Sequence, residues 1–492
     1  MVTFNATNNA NLFCINVDDA NYSATAAGWS EDNIASYNTD CNNNRFTSIP
    51  DNNFEQALID LGIDSGALDN QVLTANIEYL TSLNVSGRNI ENLEGIKAFL
   101  SLVELDCSSN YLDELDVSGM ANLETLFCGS NYFLSNNSAN VNGVLNTTGT
   151  VSLTKLFCAN NNLADLDISI NTNLEELDCS NNSLVSLDIS SNNNLIEVNC
   201  DSNQISNFIS YAADNSTLIT LSCNNNELTN LQVNRCLVLK TLNCRSNTLN
   251  LLDVSSNATL EALDFSNNQL KDVNLSSNTN LIALVGSQNE LTEVDDLSST
   301  ALESLILDNN QINQLNSVLA GLLSLKYFSI SNNQLTDLDV SSNSNLIELT
   351  VNNNEITSLQ LSANLNQLKT FNCSNNQITG GFDLSTMVNG TCPTQNTNNP
   401  LDFCPDSITI NVSGNQLEFV NIQNGINADI TNFSATNNPN LSCIQVDDVA
   451  YSTANWTNID ATSSFSTNCG GVTLVNSITV GTPGGTTTIT TN

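Results

Sequence analysis

The chain has 492 residues, of which 51 are Asp or Glu, 10 are Lys or Arg and none is His, giving a formal net charge of −41. The commonest general base and metal-binding side chain is therefore missing, and so negative a protein repels phosphate backbones and anionic lipids. The composition argues against nucleic-acid binding, and because no apolar run reaches the roughly 18 residues of a membrane span, also against membrane insertion.

Residues 1–41 share a motif with residues 430–469. The sequence CINVDDANYSATAAGWSEDNIASYNTDC runs from Cys14 to Cys41, and CIQVDDVAYSTANWTNIDATSSFSTNC runs from Cys443 to Cys469. Both copies directly follow the asparagine that marks each unit of the repeat described below. We therefore predict two C-terminal caps, each closed by its own disulfide. Residues 1–41 are then the last repeat and cap of a preceding module, and residues 441–469 are the cap of a second module.

Residues 42–79 break the pattern of the rest of the chain. Pro50 and Asp51 predict a helix start before FEQALIDLGI, whose Phe54, Leu58 and Leu61 fall on one face. We expect this segment to form a helical N-terminal cap. It would cover the exposed end of the first coil of the repeat region that follows it.

Residues 80–440 consist of a repeat of about 21 residues, such as LEELDCSNNSLVSLDISSNNN from Leu174. With the first leucine as position 0, apolar residues recur at positions 0, 3, 5, 10, 13 and 15, which predicts two short β segments per coil. One coil cannot bury its own apolar face, so neighbouring coils must stack. Position 8 is asparagine in all thirteen units: Asn110, Asn131, Asn161, Asn182, Asn203, Asn226, Asn247, Asn268, Asn289, Asn310, Asn333, Asn354 and Asn376.

This pattern resembles the leucine-rich repeat family, specifically the bacterial 21-residue class LxxLxLxxNxLxxLDLxxN that is called IRREKO. The resemblance implies a β-solenoid with a parallel β-sheet, in which the position-8 asparagines form a ladder that satisfies buried backbone groups. It also implies similarity to large secreted surface and adhesin proteins of gliding Gram-negative bacteria. Because Asp406-Ser407-Ile408 resembles an O-glycan acceptor of some of these bacteria, Ser407 is a candidate glycosylation site.

Three segments interrupt the period, and we predict surface loops at residues 136–150, 387–404 and 423–428. Cys392 and Cys404 bracket the second of them and could form a disulfide there. Spacing alone does not fix connectivity, so other pairings stay open.

The remaining cysteines follow the repeat. Eight of them stand at position 5 of a repeat unit, a position that other units fill with Phe265, Leu307, Ile330 and Val351. We therefore predict that these cysteines are buried, unpaired core thiols. The alternative is a ladder of cysteines that binds a metal or undergoes redox chemistry. We place Cys236 in an outward turn. Cysteines in caps favour an oxidising, extracellular setting. Position 5 is cysteine in eight units: Cys107, Cys128, Cys158, Cys179, Cys200, Cys223, Cys244 and Cys373.

Outward aspartates recur at position 14, where stacking brings equal positions about 4.7 to 4.9 Å apart. Neighbours such as Asp167 and Asp188 either form a solvated acidic face or share a Ca²⁺ ion, which takes oxygen ligands. We predict the solvated face and no cofactor, with calcium as the alternative. Carboxylate pairs arise automatically in such a ladder, and no nucleophile elbow or phosphate loop is present, so we predict no enzymatic activity.

The tail, residues 470–492, is a Gly/Thr-rich linker or docking strand with alternating apolar residues. The first turn is expected to have no coil stacked on its leading face, and the tail strand has no predicted pairing partner. Both features favour a head-to-tail array. We therefore predict a secreted, extracellular or cell-surface, non-catalytic protein for adhesion or filamentous assembly, whose partners are copies or further modules of itself. The alternative is recognition of glycans or proteins by the strand-lined face, where Phe127 beside Phe157 is the aromatic hint.

Overall fold

The computed structural model describes residues 4–7, 14–18, 23, 29–31, 36–38, 45–133, 145–210, 217–294, 297, 299, 301–388, 399–402, 404–470, 478–482 and 485–489. The chain divides into two compact units, Met1–Leu228 and Thr229–Asn492. In each unit, successive coils contribute short strands to parallel sheets.

The first unit contains one main parallel sheet, to which each coil contributes one strand, and further short strands outside that sheet. Its strands are β1 (Phe4–Ala6), β2 (Cys14–Asn16), β3 (Trp29–Glu31), β4 (Ser36–Asn38), β5 (Phe46–Ser48), β6 (Gln71–Leu73), β7 (Ser82–Asn84), β8 (Glu104–Asp106), β9 (Leu115–Asp116), β10 (Thr125–Phe127), β11 (Leu145–Asn146), β12 (Lys155–Phe157), β13 (Glu176–Asp178), β14 (Ser186–Asp188), β15 (Glu197–Asn199), β16 (Asn207–Ile209) and β17 (Thr220–Ser222). The main sheet has the order β7-β8-β10-β12-β13-β15-β17, parallel and in register. The helices are α1 (Asn52–Asp60), α2 (Thr74–Ile77) and a 3₁₀ turn at Ile96–Ala98.

The second unit continues the same architecture. Its strands are β18 (Thr241–Asn243), β19 (Ala262–Asp264), β20 (Ala283–Val285), β21 (Ser304–Ile306), β22 (Tyr327–Ser329), β23 (Asp337–Asp339), β24 (Glu348–Thr350), β25 (Ser358–Gln360), β26 (Thr370–Asn372), β27 (Thr379–Asp383), β28 (Ile408–Asn411), β29 (Gln416–Ile422), β30 (Ile430–Ala435), β31 (Cys443–Val446), β32 (Asn458–Ile459), β33 (Ser464–Ser466), β34 (Ile478–Thr482) and β35 (Gly485–Ile489). Its main sheet has the order β18-β19-β20-β21-β22-β24-β26-β28-β30-β32. The helices are α3 (Asn316–Leu319), α4 (Val449–Asn455) and a 3₁₀ turn at Asn427–Asp429.

The predicted fold class is confirmed: the chain is a parallel β-solenoid with a short N-terminal helix and a disulfide near the C-terminus. Helix α1 begins after Asp51, whose carboxylate accepts the backbone N–H groups of Asn53 and Phe54. Phe54 and Leu58 are buried as predicted, but Leu61 is 44% exposed. The helix ends at Asp60, so Leu61 lies at its C-cap and leaves the buried face.

The second apolar stretch of the repeat was predicted to be a strand in every coil, and this is wrong. Among the described residues it pairs as strand in β9–β11, β14–β16, β23–β25 and β27–β29, but not in coils such as the one that begins at Leu218. Leu231 and Val233 are buried at equivalent positions outside any strand. Burial of apolar side chains, not strand pairing, therefore fixes this side of the coil.

Position 7 makes each coil turn sharply after its first strand. Its φ angle lies between 53° and 58° in every unit, which is the left-handed region, and the position holds Asn or Ser in all units except at Gln288. Asparagine enters this region more readily than most residues because its short amide bonds locally. The following residue, at position 8, is then turned toward the interior.

The side chains of the position-8 asparagines form hydrogen bonds that join neighbouring coils, as Asn182 illustrates. Its Nδ2 donates to the carbonyl oxygens of Cys179 in its own coil and Cys158 in the preceding coil, both at 3.0 Å. Its Oδ1 accepts the backbone N–H of Leu163 at 3.0 Å. One side chain thus satisfies buried backbone groups that belong to two coils.

A second column of buried asparagines, which the sequence analysis missed, lies at position 18. Nδ2 of Asn192 donates to the carbonyl oxygens of Ile168 at 2.9 Å and Asn171 at 2.8 Å in the preceding coil. Asn257 makes the equivalent pair of bonds to Val233 and Cys236. The members are Asn171, Asn192, Asn257, Asn278 and Asn343, all at most 1% exposed.

Two further predictions need correction. Residues 136–150 were expected to form a surface loop, but Leu145 and Asn146 form β11, which pairs with β9, and Thr150 is fully buried. Cys236 was placed in an outward turn but is 1% exposed. It occupies position 18, which faces the interior, so an apolar thiol fits there.

The two copies of the cap motif share their backbone pairing where the structure describes them. Strand β31 pairs with β33 and β30 with β32, and likewise β2 pairs with β4 and β1 with β3. The rings of Phe433 and Trp456 lie 4.8 Å apart, and those of Phe4 and Trp29 lie 5.3 Å apart. Cys443 is bonded to Cys469, whereas the predicted Cys14–Cys41 bond falls outside the described side chains.

Candidate functional site

The strand face is the outward surface of each main sheet, formed by the first and third residues of its strands. The middle residue of each strand points inward, as the buried Leu126 and Leu156 show. Because the strands are parallel and in register, equal positions form columns that run across the coils. In the first unit the position-4 column reads Asn84, Asp106, Phe127, Phe157, Asp178, Asn199 and Ser222.

Phe127 and Phe157 form an aromatic pair on this face. Their ring centroids are 4.9 Å apart and their planes differ by 7°, and both side chains are half-buried. The spacing matches the distance between neighbouring strands, so each ring covers one face of the other. A flat sugar needs an open ring face for stacking, and the inner face of each ring is already taken.

Acidic side chains flank the aromatic pair. Asp106 precedes Phe127 in the column and Asp178 follows Phe157. The nearby Lys155 is already 2.7 Å from Glu176, an ion pair that raises the pKa of the lysine. The patch thus offers apolar ring edges between carboxylates.

The calcium candidates Asp167 and Asp188 have local partners. Each carboxylate accepts the backbone N–H of a serine two residues later, Ser169 at 3.0 Å and Ser190 at 2.8 Å. Hydrogen bonding with the Ser169 hydroxyl, and then with its backbone N–H, holds the pKa of Asp167 below its usual value. In the part of the chain that the structure describes, no three His, Cys, Asp or Glu side chains are grouped to hold a metal.

The eight position-5 cysteines are buried and form no disulfide, as predicted, and the same holds for Cys236. Burial raises the pKa of every one that is resolved, to about 12 for Cys158 and about 11 for Cys236. In both cases the loss of solvation is the largest cause. A thiol is reactive only as its thiolate, so burial disfavours reaction at these cysteines in the folded chain.

We expect iodoacetamide at pH 8 to label none of these nine cysteines in the folded protein, because burial shields each sulfur from the reagent and disfavours the reactive thiolate. Unfolding in guanidinium should expose all nine at once. Peptide mass spectrometry counts the labelled sites, and labelling of Cys158 in the folded state would contradict its burial.

The other predicted sites are only partly described. Cys404 is disulfide-bonded, but Cys392, its predicted partner, lies outside the described residues, as do Cys41 and position-14 Asp295. Ser407 is exposed, and its glycosylation stays a prediction.

Comparisons with known proteins show the fold. No protein-family model matches the sequence, and no curated protein matches it. The functional domain of InlJ from Listeria monocytogenes, which includes a cysteine ladder, is similar over 75% of this chain and 82% of that chain, at 27% identity and a TM-score of 0.55. The plant peptide hormone receptor RGFR1 in complex with RGF2 is similar over 76% and 65%, at 17% identity and a TM-score of 0.50.

YopM, a leucine-rich effector protein from Yersinia pestis, is similar over 68% of this chain and 88% of that chain, at 22% identity and a TM-score of 0.47. The repeat pattern, the parallel solenoid and the similarity to InlJ together show that the chain has the leucine-rich repeat fold. None of the helices in the described part of the chain is long and apolar enough to cross a membrane.

Proposed function

We propose that this leucine-rich repeat chain is a non-catalytic, extracellular module that binds protein partners through the strand face. The observation that carries the proposal is the Phe127–Phe157 pair, an apolar patch on an outward column whose neighbours are Asp106 and Asp178. Surface adhesion is the biological role that such a module would serve.

The patch favours a protein partner over a glycan. The two rings stack on one another, so one face of each is unavailable for stacking against a sugar. The flanking carboxylates complement a basic segment, because opposite potentials steer encounter and suppress wrong partners. A partner with an apolar side chain between Lys or Arg residues fits this surface. RGFR1, which is similar in fold, is itself in complex with a peptide hormone, RGF2.

The cap motif supports a second proposal, that the chain consists of tandem modules. Residues 4–38 and 430–466 share the same strand pairing and the same Phe–Trp contact. In this arrangement residues 1–41 close one module, residues 42–79 cap the next, residues 80–440 form its solenoid, and residues 470–492 link or dock. Head-to-tail assembly would use these ends. β34 pairs with β35, so in this structure the tail strand has a partner in its own chain.

We expect the double substitution Phe127→Ala and Phe157→Ala to abolish binding to proteins on an array of immobilised glycans and extracellular-matrix proteins. Loss of a central aromatic anchor typically costs about 2 kcal/mol or more, which is roughly a 30-fold loss of affinity. The matched control is Tyr111→Ala with Tyr132→Ala, a stacked pair with centroids 5.5 Å apart whose side chains are 44% and 48% exposed. Equal loss in both variants, or wild-type binding to glycans alone, would refute the proposed face.

A further inference from the structure

In the second unit, part of the second insertion folds back over the strand face. Nδ2 of Asn399 donates to Oγ of Ser304 at 2.9 Å, and the hydroxyl of Tyr327 donates to Asp402 at 2.8 Å. Asn399 is 4% exposed. These bonds join residues 75 to 95 positions apart in sequence, so the inserted segment is fixed on the sheet.

The lysine at this contact, Lys326, already pairs with two carboxylates. Nζ of Lys326 lies 3.1 Å from a carboxylate oxygen of Glu303 and 3.6 Å from one of Asp402. The side chains of Lys326 and Asp402 are 14% and 4% exposed. Two carboxylates therefore share one cation, and the contact keeps a negative excess.

A cavity of about 110 Å³ lies between the inserted segment and the sheet. It is lined by Ile306, Tyr327, Phe328, Ser329, Glu348 and Leu401. A single water needs only about 10–15 Å³ of such volume, whereas pockets for drug-sized ligands hold about 300 Å³ or more. The cavity is thus the right size for the end of one side chain.

The carboxylate of Glu348 is the charged group in the cavity wall. It accepts the hydroxyl of Thr350 at 3.2 Å, and among the described residues no Lys or Arg pairs with it. Behind it, Asp308 accepts the hydroxyl of Ser329 at 2.6 Å. Burial, followed by the charge of Asp308, raises the pKa of Glu348, which is the sign of a carboxylate that lacks a counter-charge.

We propose that this cavity binds the charged end of an arginine or lysine side chain from a partner protein. The aliphatic stem would pack against Ile306 and Leu401, and the cationic head would pair with Glu348, which relieves the cost of a partly desolvated carboxylate. The inference rests on the proposed function in that it supplies a contact for a basic protein partner, but the site lies in a different unit from Phe127 and Phe157.

The test is a titration of the full chain, with ¹³C-labelled Ile and Leu methyl groups, by N-acetyl-arginine amide. We expect the methyl signals of Ile306 and Leu401 to shift with a millimolar Kd, and N-acetyl-citrulline amide, the neutral isostere, to leave them unmoved. Glu348→Gln should weaken the response at least 10-fold. Glu355→Gln, which removes the same charge from an exposed position of the same coil, should not.

No shift with the arginine amide, an equal shift with citrulline amide, or an unchanged Kd in Glu348→Gln would each overturn the inference. The methyl response in the Phe127→Ala and Phe157→Ala variant should equal that of the wild type. Failure of the array experiment with a normal methyl response would therefore remove the proposed function and leave the cavity as a cation site.

Discussion

Asn182→Ala is expected to lower the free energy of unfolding by about 2–5 kcal/mol. The substitution leaves the buried backbone N–H of Leu163 without its acceptor, which costs about 1–3 kcal/mol. It also removes the bonds to the carbonyl oxygens of Cys158 and Cys179, each worth about 0.5–1.5 kcal/mol. Those two oxygens keep one amide partner each, from Asn161 and Asn203, so their loss is partial.

Asn194→Ala is the matched control. Asn194 is exposed, and its Nδ2 makes one bond to the carbonyl oxygen of Thr172 at 3.2 Å, so its loss should cost under about 1 kcal/mol. Asn182→Asp keeps the acceptor for Leu163 but loses both donors and buries a charge, so it should be at least as harmful as the alanine variant.

Denaturant unfolding measures the totals, and hydrogen exchange at the Leu163 amide reports the local opening, which matters because repeat proteins can unfold in parts. If Asn182→Ala and Asn194→Ala lost equal stability, the buried ladder would not be what joins the coils. Fast exchange at Leu163 in Asn182→Ala alone is the expected signature.

The first asparagine column could be read from the sequence and the second could not, for a physical reason. At position 8 the amide must donate to carbonyl oxygens of two coils and accept a backbone N–H, and the short asparagine side chain does all of this, so every unit has asparagine there. Position 18 asks only for a buried side chain. In other coils the equivalent site, three residues before the next unit's first leucine, holds Thr150, Cys236 or Leu322 instead of asparagine, so no single residue type marks the column.

The sequence predicts that the inserted segment of the second unit interrupts the repeat. It does not predict that part of the segment lies on the strand face. Its anchoring contacts, Asn399 to Ser304 and Tyr327 to Asp402, join residues far apart in sequence. Periodicity reports what repeats between neighbouring coils, and these contacts occur once. The candidate cavity depends on them, so it could not be inferred before the structure. The Phe127–Phe157 pair could be, since equal positions of adjacent coils must meet.

Removing the cap disulfide by Cys443→Ser and Cys469→Ser is expected to cost about 3–4 kcal/mol. The bond joins residues 26 apart whose Cα atoms lie 5.8 Å from each other, and the chain-entropy estimate for a loop of this length gives about 3.5 kcal/mol. The loop it closes carries Trp456, which is 2% exposed and packs against Phe433 and Phe465. Loosening this loop should uncover those rings and the edge of the last coil, so aggregation should accompany the loss of stability.

The internal control is reduction. In buffer with a reductant strong enough to open every disulfide, the wild type and the double-serine variant lack the same cross-link, so their melting temperatures should converge. Under oxidising conditions the variant should melt lower by several degrees, as differential scanning calorimetry would record. A gap that persists after full reduction would mean that the serines disturb local packing, and equal melting temperatures in oxidising buffer would show that the last coil is held by Trp456 and its aromatic neighbours without the cross-link.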